Sequence, residues 1–286
     1  MNKEIREFKL LRWSVPVLAL LVAGALDVYA QNNTESGADH VTVPLSDPAQ
    51  PATLRASLVN GGITVKGYDG KDILVKARVR GGGGPARSEG NMKRIPISAT
   101  GLTVEEENNH VRVGSDSVGR AIDLTISVPH QTSLTLHTVN DGDIVVSDVR
   151  GDLEVDDVNG AVTLNHISGS VIAHALNEGI KATFDHLAQK PMAFSSLNGK
   201  IDVTFPADLH ANLSLRSDMG DVFSDFDVQM QASTTQPMIE DSRGQGGKYK
   251  VKMDKTIHGT IGGGGPEIQF TNFHGEIYIR KAGAAQ

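Results

Sequence analysis

Cysteine is absent from all 286 residues of this chain. Disulfide bonds, thiolate catalysis and cysteine-ligated zinc are therefore excluded, and so is lipid attachment at an N-terminal cysteine. Aromatic residues make up only 5% of the sequence, and the one tryptophan is Trp13. So few aromatic side chains leave few stacking platforms for a sugar-binding cleft. Beyond the first 30 residues no segment has the 3.6-residue apolar period of a helix, which favours an all-β protein.

The first 30 residues have the pattern of a secretory signal peptide. A segment with four basic residues precedes the apolar run WSVPVLALLVAGAL, and small residues lie at Val28 and Ala30. We expect cleavage after Ala30 and export to the periplasm or the cell surface. An uncleaved membrane anchor is the alternative, but the apolar run is shorter than the about 20 residues that span a bilayer, and Asp27 interrupts it.

The charge of the chain argues against nucleic acid as a partner. The whole sequence carries a net charge of -7, to which residues 1–30 contribute +1, so the mature protein carries -8. An acidic exported protein is a poor nucleic-acid binder. After signal cleavage we also expect no membrane span.

The remaining sequence divides by composition into three parts. Residues 31–51 are polar and contain proline, which indicates a linker or a weak first strand. Residues 52–282 form a β-repeat domain, and residues 283–286 form a tail. Two breaker-rich loops interrupt the repeats, Arg80–Arg94 and Ser233–Lys248.

Four glycines open four consecutive blocks of nine residues, GDIVVSDVR, GDLEVDDVN, GAVTLNHIS and GSVIAHALN, which run from Gly142 to Asn177. Positions 3 and 5 of each block are apolar and share one strand face because side chains alternate along a strand. Position 8 is apolar too but has the opposite parity. We therefore expect the chain to bend after position 5 so that position 8 returns to the same core.

Each block thus reads as a strand followed by a corner. The glycine suits a corner that needs a positive φ or a close approach of two backbones, and the asparagine that often precedes it tolerates the left-handed region. We expect Val146, Val155, Leu164 and Val171 to point inward, and Asp148 and Asp157 to lie on solvated faces or to cap corners.

An antiparallel meander is the rival interpretation, because Asn-Gly is also a favoured hairpin turn. A two-residue turn at Asn159-Gly160 would place Asp157 opposite Val162, on a face that is otherwise apolar. Stacked rungs explain the pattern better. The sequence therefore predicts a right-handed parallel β-solenoid, or β-helix-like repeat domain, built from glycine-punctuated blocks of about nine or ten residues.

Three segments carry a resemblance to a known family. They are AIDLTISVPHQTSLTLHTVNDGDIVVSDVRGDLEV, LNGKIDVTFPADLHANLSLRSDMGDVFSDF and GGGGPEIQFTNFHGEIYIRK. In these segments the chain resembles the DUF4097 putative-adhesin family of exported bacterial β-strand repeat proteins, over roughly Ala52 to Lys281. The resemblance implies a β-solenoid-like domain at or outside the cell envelope. That family has no established reaction, so it implies no catalytic residues here.

Aspartates and histidines are the candidate metal ligands. Asp141, Asp143, Asp148, Asp152, Asp156 and Asp157 form an acidic cluster, but the chain lacks the Gly-Gly-x-Gly-x-Asp pattern of calcium-binding rolls. The nearest histidines, His166, His174 and His186, lack the spacing of a metal motif. We expect no metal site and no cofactor.

Other candidate motifs are equally incomplete. The sequence GGGGP occurs at Gly81–Pro85 and Gly262–Pro266, but Gly-Lys-Ser/Thr does not follow it, so it is not a phosphate loop. The second copy is better explained as a corner. Ser195 and Ser196 do not lie in a Gly-x-Ser-x-Gly elbow. We therefore assign no catalytic residue.

The sequence favours a non-catalytic, adhesin-like or structural binding module of the cell envelope. Arg80, Arg87, Lys93 and Arg94 make one loop basic on an acidic protein, so an anionic envelope polymer is a reasonable partner class. The alternative is that this loop is a solvated connector. Two other functions remain open: a carbohydrate-active enzyme on a β-helix, and a periplasmic sensor or scaffold subunit.

Overall fold

A computed structural model describes residues 38–80, 88–89, 92–93, 99–117, 119–231, 238–241, 249–252 and 256–283. The chain divides into two compact units, Met1–Thr34 and Glu35–Gln286, and every described residue belongs to the second. The expected signal peptide and its cleavage site lie outside the described residues and stay predictions.

The described residues form strands and no helix, which confirms the all-β expectation. In chain order the first twelve strands are β1 Ala38–Pro44, β2 Ala52–Asn60, β3 Ile63–Tyr68, β4 Asp72–Val79, β5 Ser88–Glu89, β6 Met92–Lys93, β7 Leu102–Glu107, β8 His110–Ser115, β9 Ile122–Pro129, β10 Thr132–Asn140, β11 Ile144–Ser147 and β12 Leu153–Asp157. The others are β13 Val162–Gly169, β14 Val171–Ala175, β15 Ile180–Leu187, β16 Met192–Ser196, β17 Ile201–Phe205, β18 Ala211–Met219, β19 Val222–Ser224, β20 Gln229–Met230, β21 Met238–Asp241, β22 Tyr249–Lys252, β23 Ile257–Ile261, β24 Glu267–His274 and β25 Ile277–Lys281.

Two large, mostly parallel sheets contain nearly all of these strands. Sheet 1 has the order β1-β4-β9-β3-β11-β13-β15-β17-β25-β19. Sheet 2 has the order β20-β23-β18-β24-β16-β14-β12-β10-β2-β8-β7. The pairs β5–β6 and β21–β22 form two-stranded sheets of their own. Strand β1 lies within the segment for which the sequence left a linker and a weak strand open.

From β10 to β17 successive strands alternate between the two sheets, and each pairs in parallel with the strand two places along. Ile144 of β11 pairs with Val162 of β13, which in turn pairs with Ile180 of β15. One rung therefore takes 18 residues here, which is two of the nine-residue blocks. The parallel pairing excludes the antiparallel meander.

The corner that follows a sheet 1 strand behaves as the sequence predicts. Asp148 and His166 adopt positive φ values of 61° and 54°, which turn the chain sharply. The next residues, Val149 and Ile167, return to the core and are fully buried. A local left-handed residue thus resolves the parity problem at position 8.

The corner that follows a sheet 2 strand is different, and the prediction for position 8 is wrong there. Asp157 and Ala175 continue the inward alternation of β12 and β14 and are buried. Val158 is consequently only half-buried, and Leu176 is 44% exposed. The two corners of a rung join the sheets in opposite directions, so they do not need the same geometry.

The glycine period reflects close contact between the backbones of neighbouring rungs. A methyl group on Gly160 would lie 2.8 Å from the Gly142 carbonyl carbon and still closer to its oxygen. Gly142 stands in the same relation to Gly61 and Gly62 of the adjacent rung. Close approach, and not a positive φ, is therefore the reason for glycine at these two corners.

The core is one continuous column between the sheets. The four residues predicted to point inward, Val146, Val155, Leu164 and Val171, are all fully buried. Further along the stack the column becomes aromatic, where the Phe184 and Phe205 rings stack at 5.4 Å and the Phe194 and Phe270 rings at 5.3 Å. Aromatic rings in such contact add to the stabilisation that their buried area supplies.

Asparagine side chains form a ladder along the corners after sheet 2. Asn159 donates to Asn140 at 2.7 Å, Asn177 donates to Asn159 at 2.6 Å, and Asn198 donates to Asn177 at 3.0 Å. None of these asparagines has a positive φ. The expectation that asparagine serves the left-handed region here is wrong, because its amide links successive rungs instead.

A second column of polar side chains caps these corners from inside. Asp157 accepts a hydrogen bond from the Gly160 N–H at 2.7 Å, and Ser196 accepts one from Gly199 N–H at 2.9 Å. Asp157 is 3% exposed, so its placement on a solvated face is wrong, whereas its role as a corner cap is confirmed. The carboxylate lies inside because it continues the inward face of β12.

The order of rungs departs from the order of the chain at both ends of the stack. Strands β2 and β3 lie between the rung of β8 and β9 and the rung of β10 and β11. Strands β24 and β25 lie between the rung of β16 and β17 and the rung of β18 and β19. The early strand pair β2–β3 and the late strand pair β24–β25 are thus each enclosed by neighbours on both sides.

The second GGGGP copy makes a corner, as expected. Gly262, Gly263 and Gly264 have φ values of 61°, 86° and 95°, which let the chain reverse between β23 and β24. The first copy lies outside the described residues. Within the described part of the chain no helix is of a kind that could cross a membrane.

Candidate functional site

The basic loop predicted as a partner site is only partly described. Arg80 follows β4 and pairs with Asp123 of β9, to which its Nε donates at 3.1 Å. Its guanidinium also donates to the Asp141 carbonyl oxygen, and the hydrogen bond with Asp123 raises the pKa of Arg80. Arg80 thus ties three segments together. Arg87, Arg94 and the side chain of Lys93 lie outside the described residues, so that partner site stays a prediction.

The aspartates of the acidic cluster serve separate local roles. Asp143 accepts a hydrogen bond from the Ala161 N–H at 2.9 Å. Asp152 pairs with Lys190 at 2.7 Å, and this hydrogen bond lowers the pKa of the carboxyl group. Within the described ranges, no three histidine or acidic side chains come together as metal ligands would.

The three histidines singled out by the sequence do not converge. His166 lies at a corner after sheet 1, where its Nδ1 is 3.1 Å from Asp185 Oδ1. His174 lies on the outer face of sheet 2, and His186 is exposed near the end of β15. A cavity of about 360 Å³ beside His166 also includes His130, Asp148 and Arg150.

A shallow groove on the outer face of sheet 2 is the best candidate for a binding site. It has a volume of about 600 Å³ and crosses six adjacent strands, β10, β12, β14, β16, β24 and β18, near their C-terminal ends. At about 4.8 Å per strand, the groove is about 24 Å long. Its volume lies within the range typical of ligand sites.

One side of the groove is a row of apolar side chains, one from each rung, which we call the apolar row. Leu176 is 44% exposed, Leu197 40% and Phe273 42%. The pairing of strands continues to these positions, since Leu176 N–H donates to Asp157 O and His274 N–H donates to Leu197 O. In order across the sheet, the apolar row consists of Val59, Val139, Val158, Leu176, Leu197 and Phe273.

The floor of the groove is a parallel row of polar side chains, two residues earlier on each strand, which we call the polar row. Strand register aligns His137 with Asp156, Asp156 with His174, and His174 with Ser195. The row continues through β24 and ends on β18. Its members are His137, Asp156, His174, Ser195, Thr271 and Arg216.

Three buried side-chain atoms in the described part of the chain lack a hydrogen-bond partner, and all belong to residues that line this groove. They are Asp157 Oδ2, Arg216 Nε and Asn272 Oδ1. Burial raises the pKa of Asp157 to about 6, and the nearby Asp143 and Glu178 add to the effect. Buried polar atoms are nearly always paired in folded proteins, so their concentration here marks the groove as unusual.

The polar row includes the three residue types of a serine hydrolase on adjacent strands. His174 Nδ1 and Ser195 Oγ share a hydrogen bond, and Asp156 lies in register with His174 on the other side. A catalytic triad places the imidazole between the serine and the carboxylate, with one ring nitrogen bonded to each. The structure has a hydrogen bond on the serine side only, and the row lies on an open sheet face.

The apolar row escaped the sequence analysis although a signal for it exists. An aliphatic residue directly precedes asparagine five times, in Val59-Asn60, Val139-Asn140, Val158-Asn159, Leu176-Asn177 and Leu197-Asn198. Phe273-His274 occupies the corresponding place in the sixth rung. The asparagines were considered with the glycine that follows them, and the apolar residue before them was assigned to the core.

Two solved structures are similar to this chain. One is a "putative cell adhesion protein" from Clostridium sporogenes, with 10% identity and a TM-score of 0.46, covering 85% of this chain and 99% of that one. The other is a "putative adhesin" from Bacteroides fragilis, with 12% identity and a TM-score of 0.25, covering 85% and 96%. No family model matches the chain. No curated protein matches it either.

Proposed function

We propose that this chain is an exported, non-catalytic binding protein of adhesin-like type that holds an external partner in the groove on sheet 2. The observation that carries the proposal is the apolar row, which keeps an apolar side chain at the surface in six successive rungs. Scattered apolar residues are normal on a protein surface, whereas a continuous line of them indicates an interaction site.

The regular stack of rungs supports this function. Rungs with rigid parallel pairing hold the apolar row and the polar row at a constant separation along the groove. Repeat proteins commonly use such extended surfaces for binding. The finer aspects of the proposal are a right-handed β-solenoid, membership of the DUF4097 type and a location in the periplasm or at the cell surface.

The groove also bears on the choice of partner. Its lining carries three carboxyl groups, Asp156, Asp157 and Asp218, and one guanidinium, Arg216. Arg216 is itself 3.5 Å from Asp218, so its charge is partly compensated. An anionic partner would therefore fit this groove poorly, in contrast to the partner class that the basic loop favours.

The test compares two substitutions on one strand face. Leu176→Asp places a carboxylate in the groove, whereas Ile172→Asp makes the same kind of change four residues earlier on β14, at a side chain that is also 44% exposed. Mature protein and both variants are incubated with isolated cell-envelope material, and the bound fraction is measured by sedimentation.

We expect Leu176→Asp to reduce binding at least tenfold and Ile172→Asp to change it less than twofold. Melting temperatures show whether both variants remain folded. Equal binding by all three proteins would overturn the assignment of the groove, and an absence of binding by the unsubstituted protein would overturn the function itself.

A further inference from the structure

We infer that the groove on sheet 2 binds a linear, uncharged glycan that lies along the stack, with its rings against the apolar row and its hydroxyl groups on the polar row. This inference rests on the proposed function and adds the chemical class of the partner. It follows from the shape of the groove, from the pairing state of the sheet and from the charges of the lining residues.

The shape of the groove requires a narrow, linear ligand. The apolar row is one side chain wide and about 24 Å long across the six groove strands. A second copy of this chain, docked row against row, would bury far less than the about 800 Å² per partner of a stable interface. It would also bring the Asp156 carboxylates of the two copies close together.

An extended peptide fits the groove poorly. Bound peptides of this kind gain affinity from main-chain hydrogen bonds at an open sheet edge. Strands β12, β14 and β16 are each paired on both sides, and the pairing continues to Leu176 and Asn198 at the corners. A peptide crossing these strands would find the backbone groups beneath it already hydrogen-bonded, and its own would stay unpaired.

An amphipathic helix fits poorly for another reason. The apolar row and the polar row are two residues apart along each strand, which is about 7 Å. A helix is about 10–12 Å across with its side chains, so it would cover both rows at once. Its apolar face would then press on Asp156 and Arg216 and remove their solvation without pairing them.

A glycan chain meets the requirements that these ligands fail. Its rings present C–H surface and hydroxyl groups side by side, and the hydroxyls both donate and accept hydrogen bonds. The polar row offers both kinds of partner, because Asp156 accepts, Arg216 donates, and Ser195 and Thr271 do either. The two rows repeat with each rung, so successive rings would find the same surroundings along the groove.

The small number of aromatic side chains shapes the expected affinity. Phe273 is the only aromatic member of the apolar row, and the other five are aliphatic. Each ring would therefore contribute little, and useful affinity would need several rungs to be occupied together. We expect binding to depend steeply on chain length.

The experiment is a calorimetric titration of the mature protein with neutral linear hexasaccharides, namely cellohexaose, laminarihexaose, maltohexaose and chitohexaose. The corresponding disaccharides test the dependence on length. Hexagalacturonate serves as an anionic chain, and a cationic leucine–lysine helical peptide represents the amphipathic helix. The variants are Leu176→Asp, Phe273→Ala and the control Ile172→Asp.

At least one neutral hexasaccharide is expected to bind, with at least tenfold weaker binding by its disaccharide and by Leu176→Asp, a smaller loss for Phe273→Ala and no loss for Ile172→Asp. Saturable binding of the helical peptide alone, lost in Leu176→Asp, would overturn the glycan assignment and leave the proposed function standing. Preference for hexagalacturonate, or glycan binding unaffected by Leu176→Asp, would also overturn it.

Discussion

The backbone N–H of Gly160 donates a 2.7 Å hydrogen bond to Oδ1 of Asp157, while Oδ2 of the same carboxyl group is buried without a partner among the described residues. One oxygen thus closes the corner after β12, and the other is removed from solvent. The arrangement favours a protonated Asp157, and burial raises its pKa to about 6 from an ordinary 3.8.

Stability should therefore fall as the pH rises toward neutrality. The pKa of Asp157 is higher in the folded state than in the unfolded chain, so its contribution is fully present below about pH 4 and is lost as the pH passes through about 6. A shift of this size corresponds to at most about 3 kcal/mol. Asp157→Asn keeps an acceptor for Gly160 and should be more stable than the unsubstituted protein at pH 8 but not at pH 4. Urea midpoints at both pH values check this, with Asp156→Asn as the control.

The core assignment predicts a sharp contrast between neighbours on β12. Val155 is fully buried, so Val155→Asp should cost several kcal/mol of unfolding free energy, because it buries an unpaired carboxylate. Glu154 is exposed on the other face, and Glu154→Ala should change stability by about 0.5 kcal/mol or less. Chemical denaturation of both variants decides the matter, and similar losses would contradict the assignment.

The close contact between rungs predicts that Gly160→Ala is poorly tolerated. The new methyl group would meet the Gly142 carbonyl of the next rung, and the backbones would have to separate. We expect a loss of about 3 kcal/mol or more, as in severe overpacking. Gly114→Ala on β8 is the matched control, since its methyl group would lie 3.8 Å from the nearest atom. A thermal melt in which both variants match the unsubstituted protein would refute the explanation.

The arrangement of Asp156, His174 and Ser195 should not support hydrolysis. A serine nucleophile needs a base that is oriented on its far side, and His174 has a hydrogen bond from Ser195 only among the described contacts. We expect no product from polysaccharides or esters, and unchanged envelope binding by Ser195→Ala. Reproducible turnover that disappears in Ser195→Ala would instead identify an enzyme.

The glycine period was sufficient to predict strands, rungs and the inward residues of β11 to β14. It could not separate the two kinds of corner, because the four blocks were aligned as equals although alternate blocks belong to different sheets. Val149 and Val158 occupy the same block position, yet one is fully buried and the other half-buried. The positive φ of Asp148 makes the difference, and aspartate occurs at that position in both blocks.

The candidate site was beyond the reach of local patterns. Leu176 and Leu197 are neighbours across the sheet because that rung is three residues longer than the one before it. Phe273 joins them only because β24 pairs with β16, which precedes it by more than 70 residues. Long-range pairing of this kind leaves no periodic trace in the sequence.

The enclosed position of β24 and β25 has a consequence for how the chain acquires its structure. In a simple stack each new rung adds to a finished surface, so the fold can follow synthesis or export from one end to the other. Here the rung of β18 and β19 finds its parallel neighbours only when the later strands β24 and β25 arrive. Residues 211–224 must therefore wait for residues 267–281, and completion of this half of the stack becomes a single late event. A chain halted before residue 267 would lack an interior rung and would not be a shorter version of the same protein.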